Sequence, residues 1–164
     1  MRSFHLRRKE KEITDPTILK KILRSATYVT LAMCDDNQPY LVSLSHGYDE
    51  KNNCIYFHCA SEGKKIEYLL QSNRVWGQAL LDYGVKPTEN SCTHLYASVH
   101  FSGKTIFLED VKEKRHAMEC MLEQLNRNSE ELIVKLNNEQ LKKMRIGKIT
   151  IEYMTGKKPQ EVSI

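Results

Sequence analysis

The chain has 164 residues, 40% of them hydrophobic and 28% charged, and a formal net charge of +4. That is the balance of a globular domain: enough apolar mass for a core, too little charge to demand nucleic acid, and no apolar run near the roughly 18 residues that span a bilayer. With no signal-peptide pattern near the start and five cysteines that form no C-x-x-C pair, the expectations are one cytoplasmic domain over 1–164, with no disulfide framework, zinc knuckle, membrane or nucleic-acid partner.

Arg2, Arg7, Arg8, Lys9 and Lys11 make residues 1–12 a basic, solvated arm. Thr14-Asp15-Pro16 starts a helix, and Ile18, Leu19, Ile22 and Leu23 give it a buried stripe. The run 28–33 predicts a strand, 35–38 a turn, and 39–48 further extended chain. After the turn-rich 49–53, Ile55-Tyr56-Phe57-His58-Cys59 predicts a strand, and Ser61 opens a helix with Ile66, Leu69 and Leu70 on its apolar face. A strand is expected over 74–81, a loop over 83–93, and a long β segment over 96–108 with a bend or bulge at Gly103. Ala117, Met118, Met121, Leu122 and Leu125 mark a helix over 111–125. The polar stretch 130–143 is partly helical, 146–154 alternates as a last strand, and 155–164 reads as a surface tail. Strands linked by short turns, with helices inserted rather than alternating, predict a mainly β fold: a small barrel of about six antiparallel strands with peripheral helices.

Lys64 and Lys65 fall in the first turn of the predicted helix, where cations oppose the helix dipole. An anion held on the free N–H groups would explain them; ordinary surface lysines, partly offset by Glu62, would also fit. No G-x-G-x-x-G, P-loop, G-x-S-x-G or H-E-x-x-H pattern occurs. His58-Cys59 and Cys92-Thr93-His94 each resemble half a metal site without apparent further ligands, so no metal is expected. His46, His94 and His100 are read as structural or exposed, Cys59 and Cys92 as small buried residues, and Trp76 and Tyr96 as core packing.

Several stretches, in order, resemble one family. Residues 7–15, Arg-Arg-Lys-Glu-Lys-Glu-Ile-Thr-Asp, resemble R-R-K-x-R-E-I-T-D. Pro39-Tyr40-Leu41-Val42-Ser43-Leu44 with Gly47-Tyr48 resembles P-Y-x-V-P-L…G-Y. Residues 55–66 resemble L-Y-F-H-x-A-x-E-G-x-K-I, and Cys92, Tyr96-Ala97-Ser98-Val99 and Gly103 follow C…Y-x-S-V-x-x-x-G, before Thr155-Gly156-Lys157. The set is similar to the nitroimidazole-resistance flavoproteins of the pyridoxamine 5′-phosphate oxidase-like, FMN-binding split-barrel group.

The resemblance implies a split β-barrel homodimer with FMN, or FAD in its place, between the subunits. It places the flavin along Tyr40, Leu41, Val42, Ser43 and Leu44, against Phe57, His58, Cys59 and Ala60. Lys64 and Lys65 would reach the phosphate, one directly and one at longer range, since neighbours on a helix diverge by about 100°. Ser98 and Val99 would approach the isoalloxazine, and His58 would be the catalytic acid–base group or only a cofactor contact. Ser43 replaces a common proline, and the substrate-holding C-terminal segment of true pyridoxamine 5′-phosphate oxidases is not recognisable, which argues against vitamin B6 synthesis. The expected activity is reduction of nitro compounds or another small acceptor; the alternative is a flavin-binding storage or electron-exchange protein without turnover.

Overall fold

A computed structural model describes residues 6–126 and 128–164. Arg2 of the basic run lies outside them. Helix α1 (Pro16–Ser25) begins as expected: the Asp15 carboxylate accepts from the Thr17 N–H at 2.8 Å, and Pro16 sits where no N–H is needed. Leu19, Ile22 and Leu23 are buried beneath it.

Seven strands among the described residues form one antiparallel sheet, one more than the expected six. They are β1 (Tyr28–Asp35), β2 (Gln38–Ser45), β3 (Gly47–Asp49), β4 (Cys54–Cys59), β5 (Arg74–Pro87), β6 (Cys92–Phe107) and β7 (Arg145–Lys157). Their spatial order is β2-β1-β5-β6-β7-β4-β3. The extra strand arises because the extended run 39–48 splits at His46, β2 pairing with β1 and β3 with β4. The two end strands of the sheet are therefore consecutive in sequence. A chain can make that step only if the sheet rolls until its ends approach, giving an open, split barrel.

Alternation along the strands decides what fills it. Val29, Leu31, Val75, Ala79, Val99, Phe101, Phe57 and Ile149 point inward and are buried, joined from outside the sheet by the α1 residues Ile22 and Leu23. The remaining helices are α2 (Lys64–Gln71), α3 (Val111–Leu125), α4 (Ser129–Val134) and α5 (Asn138–Lys143). Cys54, Tyr56, Leu108, Ile146, Ala117 and Met121 form a second core between α3 and the outer face of β4 and β7.

Four expected boundaries shift. The loop predicted over 83–93 is the paired end of a long β5–β6 hairpin, with Val85 opposite His94 and Pro87 opposite Cys92. A register shift between Asp82 and Val85 absorbs the breakers, and the Asp82 carboxylate accepts from the Gly84 N–H at 2.8 Å. At the C-terminus, β7 runs on to Lys157, and Val162 is buried in the main core. The basic arm is tied down at its end: Lys158 N donates to Lys11 O at 2.9 Å and Ile13 N to Gly156 O at 3.0 Å. Helix α2 begins at Lys64, not Ser61. The bulge expected at Gly103 is present, between Ser102 and Gly103 opposite β7.

Candidate functional site

Helix α2 starts three residues later than its sequence suggests because Gly63 breaks the turn. Gly63 has φ 123° and ψ 167°, a conformation that side-chain-bearing residues rarely adopt. No side chain caps the first turn of α2, whereas Asp15, Asp110 and Asn137 cap α1, α3 and α5. The open helix start leaves N–H dipoles aimed outward, a ready place for an anion.

Lys64 and Lys65 are the first two residues of this helix and diverge as helical neighbours must. Lys64 Nζ lies 5.0 Å from the Tyr40 ring centroid and 5.6 Å from that of Tyr68, with the two rings 5.2 Å apart. Since Tyr40 belongs to β2, this cluster ties α2 across the barrel opening. Lys65 Nζ lies 5.5 Å over the buried Phe57 ring on β4. A third cation was missed by the sequence reading. Arg145, opposite Cys59 in the β4–β7 register, donates to Ser61 O at 2.7 Å and stacks on Phe107 at 4.5 Å. It stands 84 residues from the turn it braces, and only strand pairing reveals it. Burial pushes the Cys59 thiol up, against the opposing pull of Lys65 and Arg145.

Strand β2 is an end strand of the sheet. Tyr40, Val42 and Leu44 lean on the main core, while Leu41 and Ser43 face outward. The Ser43 hydroxyl lies 3.0 Å from that of Thr30. His58 is exposed near the end of β4, Cys59 is half-buried, and Ala60 is exposed. The structure thus gathers β2, the end of β4 and the start of α2. Ser98 and Val99 lie in the middle of the sheet, on the strand between β5 and β7. Both are fully buried on β6, Val99 inside the barrel and Ser98 with its hydroxyl unpartnered.

The register sets out the sheet's outward face as rows. One row runs Leu41, Ala32, Trp76, Ser102 and Tyr153; another runs Leu80, Ser98 and Lys157, and Tyr28 opposite Ser45 lies on the same face. Leu41, Tyr28 and Leu80 are 65%, 60% and 51% exposed, a broad apolar surface for one protein face. Trp76, expected in the core, is 39% exposed on this face and meets Tyr153 edge-on at 6.3 Å. It helps line an apolar hollow of about 550 Å³ with Ala32, Cys34, Pro39 and Tyr153. Two further expectations are corrected. Tyr96 is half-buried, with Lys11 and Lys157 over its ring at 5.8 and 5.7 Å, because it follows the bulge where the hairpin leaves the core. Cys92 is exposed at the hairpin end. His94 is exposed and 2.9 Å from Asp82, whereas His46 is fully buried.

Residues 15–158 match the family model described as pyridoxamine 5′-phosphate oxidase. The chain belongs to this family. No protein of curated function matches it. Among solved structures, a candidate 5-nitroimidazole antibiotic resistance protein of Bacteroides thetaiotaomicron VPI-5482 is similar, with TM-score 0.78 and 26% identity over 89% of this chain and 85% of that one. The flavocytochrome Anf3 of Azotobacter vinelandii gives TM-score 0.77 at 15% identity, over 94% of this chain and 72% of that one. The FAD and heme binding protein of Mycobacterium smegmatis gives 0.77 at 14%, over 94% and 76%. The split barrel of the pyridoxamine 5′-phosphate oxidase family is therefore the fold of this chain. Among its described residues no helix is long and apolar enough to cross a membrane.

Proposed function

We propose that the protein is a flavin-dependent oxidoreductase that reduces nitro compounds or another small acceptor, with FMN as cofactor. The observation that carries this reading is the uncapped start of α2, flanked by Lys64 and Lys65 at the barrel opening. Its donor set fits a phosphate monoester: outward N–H groups and two ammonium groups, with Arg145 bracing the preceding turn. The edge of β2 over 40–44 offers backbone groups and half-buried side chains to a flat heteroaromatic ring. When bound, flavin supplies the electron transfer. The protein would orient it, and exposed His58 would hold or release a proton at its imidazole. The likeness to a candidate 5-nitroimidazole resistance protein supports the acceptor class, and the flavocytochrome and FAD-binding neighbours support flavin.

The outward apolar rows fit a homodimer interface. Ser98 shares a row with Leu80, so a second copy on this face would bring that row to the flavin cleft. The absorption spectrum of the purified protein, before and after adding FMN or FAD, is the first test. Flavin bands, reduction by a nicotinamide donor and reoxidation by a nitroaromatic are expected. A His58→Ala variant that keeps its flavin and loses most of the reoxidation rate would place His58 in the chemistry. Protein that stays colourless with either flavin would overturn the reading, and flavin that binds but never turns over would mark a carrier.

A further inference from the structure

The strongest unexplained cluster lies away from the α2 rim, where α3 crosses β3. His116 and Cys120 stand four residues apart on α3, so they share one face of the helix. That face meets Asp49, the last residue of β3 and 7% exposed. Asp49 Oδ2 is 2.8 Å from His116 Nε2, and Cys120 Sγ is 3.6 Å from the same nitrogen. The three donor atoms all lie within 4.8 Å of one another.

A cysteine, a histidine and an aspartate suggest a nucleophilic triad, but the geometry excludes one. A relay needs the carboxylate on one ring nitrogen and the thiol on the other. Here both face Nε2. Three different donors converging on one point is the arrangement of a cation site. We propose that Asp49, His116 and Cys120 bind a zinc-type divalent cation that joins α3 to β3, with water in the fourth position.

The distances suit that ion. Tetrahedral zinc with one nitrogen and one sulfur ligand places those ligands about 3.5 Å apart, close to the His116–Cys120 separation. The shorter Asp49–His116 contact is a hydrogen bond that must open by about half an ångström to admit the ion. Asp49 is already oriented for it: Asn52 donates to Oδ1 from its backbone N–H at 3.1 Å and to Oδ2 from its side chain at 2.7 Å. The Tyr56 ring meets the His116 ring edge-on at 5.8 Å. The two backbones are pressed together, since a Cβ on Gly47 would lie 2.6 Å from Met121 N, so β3 and α3 hold Asp49, His116 and Cys120 in one place. Glu119 and Glu123 on α3 add negative charge to that of Asp49 around Cys120, which favours a cation there. The mixed soft and hard donor set favours zinc or cobalt over calcium or magnesium. None of these residues belongs to β2, α2 or the end of β4, so the site stands whether or not the flavin reading does.

Cobalt(II) is the probe. Titrated into the purified full-length protein and read as a difference spectrum, it is expected to give thiolate-to-cobalt charge-transfer absorption saturating at one ion per chain, displaced by zinc. Cys120→Ser should abolish the band, and Cys92→Ser should leave it intact. His116→Gln, at a half-exposed position, should abolish tight binding and the rise in melting temperature that zinc gives the wild type. Asn52→Ala should weaken binding about tenfold. No charge-transfer band in the wild type, or a band that survives in Cys120→Ser, would overturn the proposal. Flavin content is read separately in the same samples and is expected to be unchanged throughout.

Discussion

Lys64 and Lys65 show how one residue's surroundings separate two identical side chains. Lys64 rests on the rings of Tyr40 and Tyr68, a contact worth about 0.5–1 kcal/mol at an exposed site, and so helps hold β2 against α2. Lys65 lies over Phe57, and with Arg145 opposes the burial that raises the Cys59 thiol. If the flavin phosphate sits at this helix start, Lys65→Gln removes a charge-assisted contact of about 1.5–3 kcal/mol and weakens FMN binding roughly tenfold to a hundredfold. Lys64→Gln should weaken it too, and should also loosen the β2 clamp. Quenching of FMN fluorescence measures both. Affinities within twofold of wild type for the pair would show that the phosphate is held elsewhere.

The step from β2 to β3 is the element on which the barrel depends, and His46 is its hinge pin. Its Nε2 is 3.0 Å from Leu23 O at the end of α1 and 2.9 Å from Gln124 Nε2 on α3. Gln124 also donates to Ala26 O at 2.9 Å and accepts from the Tyr48 N–H at 2.8 Å. One amide and one imidazole thus join α1, α3 and the crossing. A neutral ring donating from Nε2 to Leu23 O fits this network, with Gln124 turned to the carbonyls. Burial pulls the His46 pKa below its ordinary 6.5. The unfolded chain then binds more protons than the folded one between those two values. Stability is therefore full above about pH 6.5 and falls as the pH drops through the lower folded pKa. Urea midpoints should decline between pH 7 and pH 5, more steeply in wild type than in His46→Gln. Parallel slopes would show that His46 is not the titrating group; His100, also lowered by burial and by Lys157, would be the next to test.

At the scale of the molecule, the outward sheet face is the feature a single chain does not explain. Inward residues of β1, β5 and β6 fill the barrel, yet Tyr28, Leu41 and Leu80 face out and are more than half exposed. Burying such residues yields about 25 cal/mol per Å² of apolar area, so a face of this kind favours association. Leu80→Glu, at an exposed position, should leave the fold intact and shift the proposed dimer toward monomer in sedimentation equilibrium. Flavin affinity should fall with it if the cofactor lies between subunits. An unchanged mass, or a monomeric wild type, would remove this face as the interface.

Local chemistry alone made much of this chain legible. The Asp15-Pro16 helix start, the aromatic and branched residues that make β4 a strand, the Gly103 bulge and the paired lysines of α2 depend on neighbours within a few residues. The ordered motifs carried the family. What needed the tertiary structure were relations between distant residues: Arg145 bracing Ser61, His46 and Gln124 meeting at the carbonyl of Leu23, and Asp49 meeting His116 and Cys120. It also decided which face of each strand looks outward, and that 85–87 and 92–93 pair in a hairpin closed by a turn over 88–91. Periodicity and capping are set by the backbone's own repeat. Side-chain convergence depends on strand register and helix placement, which are fixed only when the whole core packs.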